Sequence, residues 1–537
     1  MPRTLGVESV RYHRAVSGYY VENFGCRATQ ADGAALERQF EERGMTRAST
    51  PSQASIVVMN TCTVTAGADQ DARAAIRRVL RQNPGAQVVV TGCYAQRAPE
   101  EIAALPGVSL VVGNSHKHQL AEIISTQMRT SDRRPCTADP CFIPLTSLAV
   151  NFRSPEPIAE AQPSLGTGDR RSPGFEVRTF VSDIFAHTEL LAAPVFDAAN
   201  QRTRPNLKVQ DGCDNRCSFC VIPFVRGQSR SLSVDRIIRE VNGMVESGYR
   251  EVVISGINLG RWGRDLGGFR LPAFSFRPSS EDLGPQTSDV SQTLLAEARA
   301  LLHRPTLEFL IRAILSDTAL EKLRISSVEP MDWTDELISL VASSARIAKH
   351  AHVPMQSGSD AVLRRMHRKY RPWHYREKIQ KIRAAMPTAA IGADVMVGFP
   401  GETDAEFEET RRMIEELPFT YLHVFTYSAR PGTPAAAMPN QVSVHLARER
   451  NRVLRDLAAE KKFAFMRGFV GKAVGAITLD VVGRDGIGEF TEALTDNYLK
   501  LRLRGRHQPN RWISAQIAHV DDGALVGAEG VCRPLAR

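Results

Sequence analysis

The chain has 537 residues, 68 Lys and Arg against 59 Asp and Glu (net +9), and 43% hydrophobic residues. That length implies two to four domains and that composition implies packed cores, which excludes a chain disordered throughout. With no run of 18 apolar residues and no apolar N-terminal stretch, neither a membrane span nor a secretory signal is read, and a cytosolic protein is expected. The nine cysteines are an odd number in a chain too long to need disulfide staples, so they read as metal ligands or catalytic thiols.

In chain order, the first domain is expected over residues 17–128. Ser55 to Thr61 and Ala86 to Gly92 read as buried strands, and Asp69 to Asn83 as the helix between them, stopped by Pro84 and Gly85. Strand, helix, strand predicts a parallel, Rossmann-like α/β unit. Cys26, Cys62 and Cys93 each follow a strand-like segment or a glycine, so all three fall at one edge of such a sheet, where doubly wound folds place ligands. Together they can share an iron–sulfur cluster; singly, each reads as a buried core cysteine.

Residues 129–178 turn to Pro, Ser, Gly and mixed charge, a linker or insertion expected to be disordered, with Cys136 and Cys141 in it as bystanders. A strand and helix rhythm returns over 199–440. Strands are read at 251–256, 322–330, 352–356, 391–401 and 421–428, with amphipathic helices at 235–248, 335–344 and 403–417. The series predicts a full or partial TIM-type barrel with its chemistry at the C-terminal strand ends, broken by a second insertion at 267–293. After a charged helix, residues 465–535 read as short alternating strands of a small β-barrel, and Cys532 has no assigned role.

The strongest chemical signal is GCDNRCSFC, with Cys213, Cys217 and Cys220 spaced C-x3-C-x2-C. Three thiolates on one loop can hold three irons of a [4Fe–4S] cube and leave the fourth open. A zinc loop is the alternative, but it prefers paired C-x2-C units with a fourth Cys or His close by, and none follows. The loop, including Phe219 before its last cysteine, resembles the radical S-adenosylmethionine (SAM) enzymes, whose open iron chelates SAM. Both cysteine triplets in order, with FGCRATQAD, VVMNTCTVT, VVTGCYAQR, KVQDGCDNRCSFCVIPFVRG, SGINLG, LRISSVEP, HVPMQSGSD, DVMVGFPGET and FTYSARPGTPA, resemble the methylthiotransferase family of these enzymes over nearly the whole chain.

The resemblance implies two [4Fe–4S] clusters, SAM, an electron donor such as flavodoxin or ferredoxin, and a C-terminal OB-like TRAM barrel that binds RNA. One cluster would generate a radical that takes hydrogen from an adenine C2, the other would carry the sulfur, and a second SAM the methyl. Ser255, Gly256, Asn258, Gln356, Asp394 and Gly398 match the family's SAM-contacting motifs, although each also suits an ordinary βα turn. GCRATQADG, NTCTVTAGADQDAR and TDNYLKLRL look most like the branch acting on threonylcarbamoyladenosine at position 37 of tRNA, beside the anticodon. The other branches act on isopentenyladenosine or on a ribosomal protein aspartate, and an RNA-binding iron–sulfur sensor without turnover is the non-enzyme alternative. For RNA, Arg364, Arg365, Arg368, Lys369 and Arg371 with Tyr370 and Trp373 form a basic aromatic run, and Lys500, Arg502 and Arg504 share one strand face. A solvated charged face explains either patch equally simply.

Overall fold

The computed structural model describes residues 18–131, 177–194, 204–267 and 305–534. Nearly all of the insertion read at 267–293 and of the linker read at 129–178, with Cys136 and Cys141, lies outside them. No helix among the described residues is long and apolar enough to cross a membrane.

The first unit is a six-stranded, wholly parallel sheet of β1 (Gly18–Asn23), β2 (Thr46–Arg47), β3 (Ile56–Thr61), β4 (Gln87–Gly92), β5 (Val108–Gly113) and β6 (Arg178–Phe180), ordered β2-β1-β3-β4-β5-β6. The period-two alternation of β3, β4 and β5 feeds two cores. Val57, Met59, Val88 and Val90 face one way, while Ile56, Val58, Val89 and Leu110 face the other. Each core is closed by a helix with apolar residues three or four apart. α1 (Arg27–Glu42) contributes Leu36 and Phe40 to the second, and α2 (Ala66–Gln82) contributes Ala72, Ile76 and Val79 to the first. A buried parallel sheet needs cover on both faces, which these helices supply. Strand β6 comes from beyond the linker, so the sheet is completed by residues that composition alone assigns to its edge.

The turn from β4 into the short helix α3 (Cys93–Arg97) requires Gly92. Its φ is +103°, and a Cβ there would lie 2.3 Å from the Thr61 carbonyl oxygen and 2.6 Å from the Thr61 nitrogen. Only a bare backbone lets the ends of β3 and β4 approach this closely.

In the second unit β7 (Asn206–Asp211), β8 (Arg230–Ser231), β9 (Glu251–Gly256) and β10 (Lys322–Ile325) pair in the order β10-β9-β7-β8. A second sheet holds β11 (His350–His352), β12 (Ala390–Val397) and β13 (Tyr421–Thr426). Parallel bridges from Leu323 to Ile347 and from Ser327 to His352 join the two, so six parallel strands run β7-β9-β10-β11-β12-β13 around one continuous core. The strand read at 352–356 is a correction. β11 ends at His352; the chain beyond stays beside β12 through the Val353 and Met355 amides, which donate to the Gly392 and Asp394 carbonyls, and Gln356, turning with a φ of +63°, forms an isolated bridge to Val395.

The helix Val444–Arg467 leads to β14 (Ala473–Asp485), β15 (Gly488–Thr495), β16 (Lys500–Arg504), β17 (Trp512–Asp521) and β18 (Ala524–Pro534), which close in the order β14-β15-β16-β18-β17 around Leu501, Leu503, Ile517 and Leu525. This unit is tied to the second by Asn497 Nδ2 donating to the Thr388 carbonyl at 2.9 Å and by Lys322 pairing with Asp496 at 3.1 Å.

The first and second units are clamped by buried ions. Asp32 of α1 takes Lys117 at 3.0 Å, Arg226 at 3.1 Å and Lys208, while Asp211 takes Lys208 at 2.7 Å and Arg226 at 3.0 Å. A second clamp joins Asp69 of α2 to Arg97 at 3.0 Å and to Arg430 of the second unit. Burial alone would raise the Asp32 and Asp211 carboxyls, but the surrounding Lys and Arg outweigh it and hold both below the usual carboxylate range. Their contribution is therefore complete above the unfolded carboxylate value of about 3.9 and is lost only as pH falls through the depressed folded values.

Two outcomes follow for urea unfolding followed by circular dichroism. Gly44, at a φ of +74° with nothing within 4 Å of its missing Cβ, serves as control: Gly44→Ala costs about 1 kcal/mol for the backbone alone, and Gly92→Ala costs about 2 kcal/mol more because it also collides with β3. Asp32→Asn costs about 3–5 kcal/mol at pH 7 by leaving buried cations unpaired, and its deficit against the wild type shrinks below about pH 4.

Candidate active site

Adjacent parallel strands β1, β3 and β4 deliver the first three cysteines to one sheet edge. Cys26 caps the N-terminus of α1, Cys62 follows β3, and Cys93 opens α3. Gly25, at a φ of +94°, leaves room for Cys62, whose Sγ would lie 2.7 Å from a Cβ at that position. Burial pushes the Cys62 thiol up to about 11, with Cys93 and then Cys26 adding to the rise, as three sulfurs around one space must. Asn114 Nδ2 donates to Cys93 Sγ at 3.5 Å.

The second triplet lies on the loop after β7. Burial pushes the Cys220 thiol up to about 12, followed by the effect of Cys217, and it raises Cys213. Donors surround these sulfurs. The Asn215 amide reaches Cys213 at 3.4 Å, Asn258 Nδ2 reaches it at 3.6 Å, and Arg368 donates to Cys217 at 3.1 Å. All six thiols are free. Among the described residues no group of His, Cys, Asp and Glu converges on a single metal ion. A four-iron cube instead takes its thiolates on separate irons, and each triplet has the donors for three. The two triplets are neighbours, since Cys93 packs against Val221 and Val225 of the segment that directly follows Cys220.

A cavity of about 430 Å³ draws on all three units: Cys26 and Arg27 from the first, the strand ends of the second, and Tyr498 from the third. Ser255, Gly256, Asn258, Gln356 and Asp394 line it. Ser255 Oγ, Asn258 Oδ1 and Ser326 Oγ are buried without a hydrogen-bond partner, a cost that a polar ligand in the cavity would remove. The other two residues matched to SAM or its cluster lie elsewhere. Gly398 approaches the helix Val444–Arg467, where a Cβ would meet that of Ala447 at 2.5 Å, and Phe219 packs with Val362, Met366 and Phe399.

The basic run divides. Arg368 and Tyr370 are turned inward, which corrects their reading as RNA contacts: Arg368 pairs with Glu329, and the Tyr370 hydroxyl donates to the Met355 carbonyl at 2.7 Å. Arg364 pairs with Asp360, Arg365 with Glu406, and Arg371 also with Asp360. Lys369 and Trp373, the latter 57% exposed, face outward. On β16 the alternation sends Leu501 and Leu503 inward and Lys500, Arg502 and Arg504 outward, where Arg502 meets Asp521 and Asp522 and Arg504 meets Asp485.

Sequence reasoning missed Arg27, His350, His352, Tyr421, His423 and Tyr498 in the cavity wall. Arg27 and Tyr498 lie within GCRATQADG and TDNYLKLRL, the stretches that carried the branch resemblance, so the signal was present without a role attached.

The chain matches the uncharacterized protein family UPF0004 over residues 18–113 and the radical SAM superfamily over 282–414. It is 33% identical to the threonylcarbamoyladenosine tRNA methylthiotransferase MtaB of Bacillus subtilis, covering 90% of this chain and 89% of that one. Against the protein of the same name from Aquifex aeolicus it is 31% identical over 92% and 99%. With the tRNA-2-methylthio-N(6)-dimethylallyladenosine synthase of Novosphingobium aromaticivorans it shares 30% over 84% and 85%. Similarity extending through the sheet, the parallel-strand unit and the closing barrel leaves one conclusion: the chain belongs to the radical SAM methylthiotransferase family.

Proposed function

We propose that this chain inserts a methylthio group at C2 of N(6)-threonylcarbamoyladenosine at position 37 of tRNA. The observation that carries the reading is the shared cavity, with Cys26 of one thiol triplet in its wall, Asn258 reaching Cys213 of the other, and unpartnered buried polar atoms between. The relatives named for this reaction, similar along nearly their whole length, supply the substrate.

When bound, the two [4Fe–4S] clusters and SAM supply the radical chemistry that an unactivated aromatic C–H demands and that no side chain provides. The protein's part is placement. Cys213, Cys217 and Cys220 would hold one cluster, and Cys26, Cys62 and Cys93 the other. Asn258 and the Asn215 amide orient Cys213, and Arg368 offsets thiolate charge on Cys217. Ser255, Gln356 and Asp394 would take the polar groups of SAM.

In this reading residues 17–128 are the cluster unit, 199–440 an incomplete radical SAM barrel, and 465–535 an OB-like TRAM barrel for RNA. Lys369, Trp373 and Lys500 face outward for the anticodon arm, and RNA phosphates would compete with Asp521, Asp522 and Asp485 for Arg502 and Arg504. A flavodoxin or ferredoxin would supply the electron.

Iron and sulfide analysis after anaerobic reconstitution is expected to give about eight irons per chain, falling to about four when either cysteine triplet is replaced by alanine. A wild type saturating at about four removes the two-cluster reading. Mass spectrometry of tRNA nucleosides from a deletion strain is expected to show loss of 2-methylthio-N(6)-threonylcarbamoyladenosine with its precursor accumulating. Loss of the methylthio-isopentenyl nucleoside instead moves the substrate to the sister branch, and no loss from tRNA removes both.

A further inference from the structure

Arg27 and the aromatic residues of the cavity wall have no part in holding SAM in the reading above. Arg27 is the first residue of α1, next to Cys26, and faces the cavity. Other arginines around the site are matched to carboxylates: Arg261 to Asp332, Arg324 to Glu251 and Arg368 to Glu329. Among the described residues Arg27 has no ion-pair partner. Neither cavity carboxylate pairs with it: Asp394 lies 3.4 Å from His352, and Glu329 meets Arg368.

Facing Arg27 is an aromatic wall contributed by two units. Tyr498 enters from the closing barrel with a φ of +67°, a conformation that costs a non-glycine residue free energy and marks a held position. Its ring centroid lies 4.9 Å from that of His350 and 6.0 Å from that of Tyr421, and the His350 ring is 2.6 Å from the Tyr421 hydroxyl through Nε2. A flat base can stack on such a wall. A dimethylallyl chain would there meet rings tipped with hydroxyl and imidazole nitrogen, whereas a threonylcarbamoyl group brings a carboxylate and a hydroxyl that suit them.

We propose that Arg27 reads the carboxylate of the threonylcarbamoyl group while Tyr498 and Tyr421 flank the modified adenine, making Arg27 the residue that separates this substrate from its uncharged counterpart. The proposal rests on the tRNA reading above and adds the group that recognises the modification.

The test is fluorescence anisotropy with the full-length, anaerobically reconstituted protein and anticodon stem-loops that differ only at the target adenosine, carrying threonylcarbamoyl, its neutral methyl ester or dimethylallyl. The wild type is expected to bind the free acid at least about tenfold more tightly than the ester, the ordinary effect of one charge-assisted contact. Arg27→Gln is expected to lose that difference, and Arg27→Lys to keep most of it. Equal weakening of Arg27→Gln on all three RNAs would reassign Arg27 to a phosphate, and a loss of SAM affinity would reassign it to the cofactor; either overturns the proposal, as does a wild type blind to the ester. A wild type that distinguishes acid from ester while Arg27→Gln does so equally overturns Arg27's role and leaves the tRNA reading standing. If the deletion strain keeps its methylthio-threonylcarbamoyl nucleoside, it is the reading beneath that fails.

Discussion

The buried ion cluster between the first two units sets the geometry on which the site depends. It contains three cations, Lys117, Lys208 and Arg226, against two carboxylates, Asp32 and Asp211, all almost wholly excluded from water. Burial pulls the Lys117 ammonium below its usual range, against the opposing pull of Asp32. Cys26 and Cys93 are among the groups that hold the Arg226 guanidinium in its charged form, after Asp211 and against the penalty of burial. Cysteines that ligate iron are thiolates, so a cluster held by the first triplet would add negative charge beside Arg226.

The same ion cluster holds two cysteine sets from separate units next to each other. Helix Ile222–Arg226 starts two residues after Cys220, packs on Cys93 through Val225 and ends with Arg226 inside the ion cluster. The loop of the second triplet is thereby fixed against the edge of the first. Arg430, reaching from the second unit to Asp69 and Thr63 beside Cys62, restrains the same edge from the other side. The closing barrel adds Tyr498 through contacts at Asn497 and Asp496, completing the wall. Placement by rigid, charge-locked elements is what a site for reactive radical chemistry requires.

Much of the architecture was legible because periodicity reports burial directly. The strands β3, β4, β9 and β12, and the helices from Asp335 and Asp404, follow their apolar patterns to within a few residues, and the cysteine spacings declared their chemistry. β1, β2, β5, β6 and β18 were not read, being short, bordered by mixed composition or supplied across the linker. What the single sequence withheld was pairing. Asp32, Lys208, Asp211, Arg226, Asp69, Arg97 and Arg430 all stand inside the quoted motifs, yet a charged residue beside a cysteine looks the same whether it faces solvent, RNA or a partner about 200 residues away. The basic run at 364–371 was misjudged for this reason: spacing shows that charges cluster, and only the fold shows that Arg368 points at a sulfur.

The same point recasts the positive balance of the chain. Lys117, Lys208, Arg226, Arg324, Arg368, Arg430 and Arg450 are buried, each matched by carboxylates or sulfur within the fold. These cations do structural service, and none is available to a phosphate. The buried carboxylates equal them in number, so the net charge of +9 stays with the rest of the chain, and what bears on RNA is where that charge gathers. In the proposed reading recognition is local: outward-facing lysines and one exposed tryptophan would meet the arm of the nucleic acid, and Arg27, without an ion-pair partner among the described residues, would meet the group attached to its base.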